Sequence, residues 1–228
     1  MPDLGAVPRE LLGDCVTTWR ARMVNEYSSA VVFEGLAAEL ESTFGADAAA
    51  TCLEFAAEER RHGVLCGAVV EAAGGEARAT RLSQPAFPLH ADAPPRAAAL
   101  RNVIHVCCMS ETVAVALIGA ERLEMPESSL RALLTRIWAD EVGHARFGWR
   151  LLESVGADLT ALERTAVERY LPTAFAHLES HELAHLPERP APEGGAAYGL
   201  CSGADGRVLL YDTLDRIIRP GLRRWFDC

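Results

Sequence analysis

The stretch GGEARATRLSQPAFPLHADAPP, residues 74–95, divides the chain into two pairs of predicted helices. It shows no apolar period and is rich in the Gly and Pro residues that interrupt helices, so we expect a long connection here. Before it, helical periodicity predicts one helix over residues 8–44, ended by Gly45, and a second over 47–75. The pattern leaves open a break in the first helix near Arg22.

After the connection, the pattern predicts two further helices joined almost directly, followed by a C-terminal helical region. Two helices, one long crossover and two tightly joined helices are the connectivity of ferritin-like four-helix bundles, although other helical bundles share these packing rules. We therefore expect one all-α domain over residues 1–228, with a core bundle over 8–155 and additional helices over 158–227. The predicted helices are residues 96–125, closed by Pro126; 127–155; 158–186, with a kink at Pro172; and 205–218, which stops before Pro220.

Composition narrows the class of protein. With 228 residues, half of them hydrophobic, the chain can form one domain with a full core. The formal charge of −10 disfavours a nucleic-acid surface, and no signal peptide or membrane span is indicated, so we expect a cytoplasmic protein with no membrane partner. Seven cysteines without a C-x-x-C pattern favour reduced thiols over disulfides or a zinc knuckle.

Two Glu-x-x-His pairs stand out, Glu59 with His62 and Glu141 with His144. Residues three apart on a helix project from one face, so each pair can bind the same ion or adjacent ions. Around these pairs, and around two single glutamates on the other predicted helices, the helical neighbours are apolar. Those two glutamates are Glu34 and Glu111.

Four ionised carboxylates in one core would cost far more than the ~5–15 kcal/mol by which a domain is stable, unless cations neutralise them. One Glu on each of two helices and a Glu-x-x-His on each of the other two is the ligand pattern of di-iron carboxylate bundles. The pattern predicts a metal site whose ligands, and catalytic residues, are Glu34, Glu59, His62, Glu111, Glu141 and His144.

The segment EERRH, residues 58–62, resembles a motif of soluble acyl carrier protein desaturases and bacterial multicomponent monooxygenases. DEVGH, residues 140–144, is similar to their second motif, with Gly143 in place of Arg or Lys. Chain length, ligand spacing and the Phe-Gly at 147–148 look more like aldehyde-deformylating oxygenases. The resemblance to this ferritin-like di-iron superfamily spans residues 20–155 and is unspecific for substrate.

The resemblance implies a di-iron oxidase or oxygenase with dioxygen as co-substrate. Glu59 and Glu141 would bridge two iron ions, with manganese as an alternative metal, and each His would complete one ion. Glu58 and Asp140 are candidates to accept the other ring N–H of a ligand His, and Arg61 could pair with one of them or be solvated. The implied partners are a small organic substrate and an external electron donor, and the oligomeric state stays open, with a homodimer among the options.

Two other functions compete. An iron-handling ferroxidase of the bacterioferritin type has the same ligand pattern, but those proteins are shorter, and the additional helices favour an enzyme with a substrate. The segment HELAH, residues 181–185, matches the H-E-x-x-H pattern of zinc proteases. Pro187 ends that helix and no His follows His185 as a third ligand, so we expect His181, Glu182 and His185 to be dispensable for the chemistry.

Overall fold

The structure, a computed structural model, describes residues 2–5, 7–78 and 87–227, and within these ranges it is helical, without β-strands. The expected all-α class is therefore confirmed. The helices are α1 (Leu12–Thr43), α2 (Ala46–Ala72), α3 (Pro95–Glu124), α4 (Ser129–Val155), α5 (Ala161–His185) and α6 (Gly203–Thr213), which continues through Leu214–Ile218 and Arg219–Leu222.

Helices α1 and α2 form a tight antiparallel pair. Gly45 joins them at a φ of +95°, a conformation that favours glycine, and its N–H donates to the Leu40 carbonyl at 3.0 Å. Further along the pair, the Tyr27 ring lies where a side chain at Gly63 would be, with a ring carbon 2.8 Å from the position of a Cβ. A glycine at that point lets the two helices approach closely.

Helix α3 changes character midway, because Ile104–Ser110 adopt a π-helix between two α-helical parts. Gly148 of α4 packs directly on this segment, where a Cβ would collide with Cys107. Helical segments with the π hydrogen-bond pattern often occur at functional sites. This one ends immediately before Glu111.

Helices α3 and α4 form a second antiparallel pair across a short connection. The Ser128 side chain caps α4 by accepting from the Arg131 backbone N–H at 3.1 Å. Midway along the pair, the Trp138 indole N–H donates to the Val115 carbonyl at 3.0 Å. The described parts of the long connection between α2 and α3 have no regular structure, and its residues 79–86 lie outside the described ranges.

The C-terminal helices pack on α3. Helix α5 begins with a capping box between Thr160 and Glu163 and remains one helix with Pro172 inside it, so the kink expected there stays a prediction. A buried cluster joins α3 to α5 and α6 through Ile104, Met109, Leu171, Leu178 and Leu210. This packing places α5 beside the π-helical segment.

The structure departs from the sequence-based expectation within α1 and at the end of the last helix. Helix α1 continues through Arg22 without a break, and the guanidinium binds the Glu121 carboxylate of α3 at 2.7 Å. The last helix does not stop at residue 218 but continues to Leu222. Pro220 lies in the first turn of the final α-helical segment, directly after the π-helical turn Leu214–Ile218.

By length and composition alone, α3 could cross a membrane. Core helices of globular proteins meet the same criterion. The buried charged residues of α3, Arg101, Glu111 and Glu121, each contact another part of the chain; Arg101, for example, pairs with Asp92 at 2.8 Å. The helix packs against α1, α4 and α5, and 44% of its most apolar 18-residue window is buried.

Candidate metal centre

Helices α1 to α4 converge on one buried cluster of carboxylates and imidazoles. The two Glu-x-x-His pairs lie on α2 and α4, and single glutamates enter from α1 and α3. Of the six donors, only the α1 glutamate has a side chain more than a tenth exposed, at 12%. The six are Glu26, Glu59, His62, Glu111, Glu141 and His144.

The donors form two overlapping groups of four. Within each group, one ligand atom per residue lies within 4.8 Å of all the others, so each group could hold one cation. Glu59 and Glu141 belong to both groups. The arrangement can therefore hold two metal ions that share two carboxylates. The first group adds Glu26 and His62 to the shared pair, and the second adds Glu111 and His144.

Both histidines point Nδ1 into the cluster. The Nδ1 atom of His62 is 3.2 Å from a Glu141 oxygen and 3.3 Å from a Glu26 oxygen, yet it makes no well-formed hydrogen bond. The Nδ1 atom of His144 is 3.0 Å from Glu141 and 3.1 Å from Glu59. A buried imidazole nitrogen surrounded by carboxylate oxygens, with no hydrogen-bond geometry of its own, fits a metal ligand.

The other nitrogen of each ring contacts an acid on the opposite helix. Nε2 of His62 on α2 lies 3.0 Å from Asp140 on α4, and Nε2 of His144 on α4 lies 3.0 Å from Glu58 on α2. A carboxylate at that position fixes the ring so that Nδ1 faces inward and raises its basicity as a ligand. The structure thus brings both expected outer acids to the histidines, and Arg61 pairs with Glu58 at 3.2 Å.

The charges of the cluster are strongly coupled. Burial, followed by the Glu141 charge, raises the pKa of Glu59 well above its usual range and that of Glu111 to about 8. Burial opposes ionisation of Glu141 too, but the hydrogen bond from His144 and the nearby His62 imidazole lower its pKa. Although burial works against it, the neighbouring carboxylates of Glu141 and Glu26 raise the pKa of His62 to about 11.

Protons on the histidines and on some glutamates thus partly compensate the charge of the metal-free cluster. Two divalent cations would balance the four carboxylates completely and leave both imidazoles neutral, the form in which they bind metals. The donor set of carboxylate oxygen and imidazole nitrogen can bind a divalent metal ion. The residues present therefore fit a two-metal site.

The α1 ligand expected from the sequence, Glu34, requires correction. Its side chain is 45% exposed and forms an ion pair with Arg60, outside the cluster. Glu26, two turns earlier on α1, supplies the carboxylate to the cluster that was expected from Glu34. Tyr27 and Val31, two neighbours that suggested an inward face for Glu34, are themselves about two-fifths exposed.

A signal for Glu26 is present in the sequence. The buried residues of α1 alternate in steps of four and three, and position 26 is the one member of this seam that is neither apolar nor fully buried. A Glu in an apolar heptad seam is the pattern that a ligand from this helix requires. The seam comprises Trp19, Met23, Glu26, Ala30, Phe33, Ala37 and Leu40.

A cavity of about 820 Å³ reaches the cluster from the side of α1 and α3. All four cluster glutamates line it, whereas His62 and His144 do not. Apolar side chains cover much of its wall near the glutamates, among them Phe33, Leu134 and Ile137. A small organic molecule in this cavity would contact the carboxylate side of the centre.

The HELAH segment lies at the end of α5, where His181 and His185 are exposed and Glu182 is half-buried. All three line the same cavity. Among the described residues, the groups of three or more donors with atoms close enough for one ion are the two in the buried cluster, so HELAH does not form a complete zinc site in this conformation.

Comparison with protein-family models, curated proteins and solved structures finds no match to this chain.

Proposed function

We propose that the chain is a ferritin-like di-iron oxidoreductase that activates dioxygen to oxidise a small organic substrate. The observation that carries the proposal is the pair of four-donor groups that share Glu59 and Glu141. That ligand pattern, one Glu from each of two helices and a Glu-x-x-His from each of two others, is the one found in di-iron bundles. Iron or manganese bound here would supply electrons to dioxygen.

The protein's own residues would hold and orient the metals and exclude water. Asp140 and Glu58 fix the two imidazoles from opposite helices. Phe33 and Phe55 pack on the His144 ring, with centroids 5.1 and 4.4 Å away, and close that side of the centre to solvent. A dry site of this kind limits the release of reactive oxygen species.

The cavity favours oxidation of an organic substrate over iron storage. A chamber of about 820 Å³, with apolar side chains over much of its wall near the glutamates, lies within the ~300–1,000 Å³ typical of small-molecule sites. An electron donor would supply the reducing equivalents.

The test is reconstitution with ferrous iron without oxygen, followed by addition of O₂ with acyl, amine or aromatic compounds. We expect about two iron ions per chain and O₂ consumption that accelerates with one compound class and yields an oxidised product. Ala114→Phe, which narrows the cavity, should retain the metal and lose the substrate response, because Ala114 lines the wall without belonging to the donor set.

Continuous oxidation of added ferrous iron into a mineral, with no response to any organic compound, would instead establish the ferroxidase alternative. A stoichiometry near zero would overturn both functions.

A further inference from the structure

A row of histidines lies along α5 and meets α3. His177, His181 and His185 are spaced one turn apart, and the ring of His105, in the π-helical segment of α3, is 5.0 Å from that of His177 between centroids. The His177 and His181 rings are stacked at 6.4 Å, and those of His181 and His185 are 4.7 Å apart. None of these side chains belongs to the buried cluster.

His105 connects this row to the cavity. Its Nδ1 atom is buried and makes no hydrogen bond among the described residues, so it presents an unused donor or acceptor. His105 lines the cavity together with Glu59, Glu111 and Glu141. An imidazole with an unused nitrogen therefore lies between the exposed row on α5 and the carboxylates of the buried cluster.

The chemistry of the row favours a metal cation over an anion. Burial, and then the neighbouring His177 and His181, lower the pKa of His105 to about 4, and burial and His185 lower the pKa of His181. His105 and His181, whose pKa values are lowered, stay neutral near pH 7 and cannot attract a phosphate or carboxylate by charge. Neutral imidazole is, however, the protonation state that binds transition metals.

We propose that His105, His177 and His181 bind one divalent transition-metal ion at the mouth of the cavity and pass it to the buried carboxylate cluster. Two histidines one helical turn apart form a chelating pair. His105 supplies the third nitrogen from the neighbouring helix. The sequence after His185 contains no further histidine that could do so. The role in delivery rests on the proposed function of the buried cluster, whereas binding at the histidines does not.

Binding requires a small rearrangement. No three nitrogens of the row lie within 4.8 Å of one another among the described residues. His177 and His181 are exposed, so their side chains can rotate towards an ion at little cost. His185 is held differently, because its Nδ1 bonds to the His181 backbone carbonyl at 2.9 Å. It therefore serves as the matched control.

The binding experiment measures Zn²⁺ by elemental analysis after gel filtration. Wild type should hold about one ion more than His105→Ala/His177→Ala, while His185→Ala should match wild type. In Glu59→Gln/Glu141→Gln, which disables the buried cluster, about one ion should remain and should disappear when the two His→Ala changes are added. If that variant does not fold, the comparison between wild type and the His variants decides alone.

Equal zinc content in wild type and His105→Ala/His177→Ala would overturn the proposal, even if the buried cluster binds two ions. Loss in His185→Ala equal to that in His177→Ala would overturn it as well, because the exposed HELAH pair would then be the site. One ion at the histidines with none in the buried cluster would support this site and refute the proposed function.

Delivery is tested by the rate at which ferrous iron, supplied below the dissociation constant of the histidine site, enters the buried cluster of His177→Ala. We expect uptake to slow roughly 10-fold or more, since loss of even an outer partner weakens metal binding by 10–100-fold. The final occupancy of the cluster should equal that of wild type. An unchanged uptake rate would overturn the delivery role.

Discussion

Replacing Glu26 by Ala, compared with replacing Glu34 by Ala, tests the geometry of the proposed metal centre. Glu26 belongs to one donor group only, whereas Glu59 and Glu141 belong to both. Its removal leaves three donors in the first group and four in the second. We therefore expect the Glu26→Ala protein to retain about one tightly held metal ion in place of two.

The magnitude follows from the share of one ligand. A structural four-ligand zinc site binds with ~10–16 kcal/mol, so one of four donors contributes roughly 3 kcal/mol, about 100-fold in affinity. At a free metal concentration of about 100 times the dissociation constant, the metal stabilises the fold by ~2.7 kcal/mol, and after a 100-fold loss by only ~0.4 kcal/mol. For a chain of this size the difference of ~2.3 kcal/mol lowers Tm by about 5–9 °C.

The Glu34→Ala protein serves as the matched control on the same helix. It loses an exposed ion pair with Arg60 whose side chains are both nearly half exposed. Such pairs contribute only ~0–1 kcal/mol. We expect its metal content to equal that of wild type and its Tm to change by no more than a few degrees, about 2–4 °C per kcal/mol.

The assay is elemental analysis of the reconstituted proteins together with thermal unfolding at fixed free metal, repeated in excess chelator. In excess chelator the part of the Tm difference between Glu26→Ala and wild type that depends on bound metal should disappear. If Glu34→Ala lowers the metal content and Glu26→Ala does not, the register assigned to α1 is refuted.

Three further predictions concern the same centre. Asp140→Asn should weaken metal binding about 10–100-fold while leaving the fold intact, measured by chelator competition, because it removes the carboxylate 3.0 Å from Nε2 of His62. Metal affinity should rise as pH increases from 6 to 8, because His62 and Glu111 must lose protons to bind metal and their pKa values in the metal-free protein are about 11 and about 8. Proton release on metal addition measures this effect. An affinity independent of pH would contradict it. Glu182→Gln should leave cluster metal content and oxidation activity unchanged, and peptide hydrolysis that is lost in this variant would show that the HELAH segment is catalytic.

The sequence predicted most of the donor set because most of it depends on geometry within single helices. A Glu and a His three residues apart face the same way whatever the neighbouring helices do, so the pairs on α2 and α4 followed from spacing alone. Glu111 followed from the apolar stripe around it. The acids at 58 and 140 followed from their place just before each inner glutamate.

The α1 ligand could not be chosen in the same way, because the choice depends on the register between two helices. The turn at Gly45 places Tyr27 beside Gly63, so that the level of His62 on α1 lies near residue 26 and not near residue 34. Counting back from a short turn could have supplied this register. The contact between His105 and His177 could not be predicted by counting residues, because it depends on how α5 crosses α3 after a long intervening segment.

The centre has one side fixed by Glu58 and Asp140 and another side that faces the cavity. Each of the imidazoles on α2 and α4 is held by a carboxylate from the opposite helix, so the two helices and both rings are positioned together. Glu26 and Glu111 enter from the other two helices and line the cavity. Changes among the outer acids should therefore alter metal affinity, because the positions of the rings depend on them. Changes in the cavity wall should alter which molecule reaches the metals, because the cavity meets the centre on its carboxylate side.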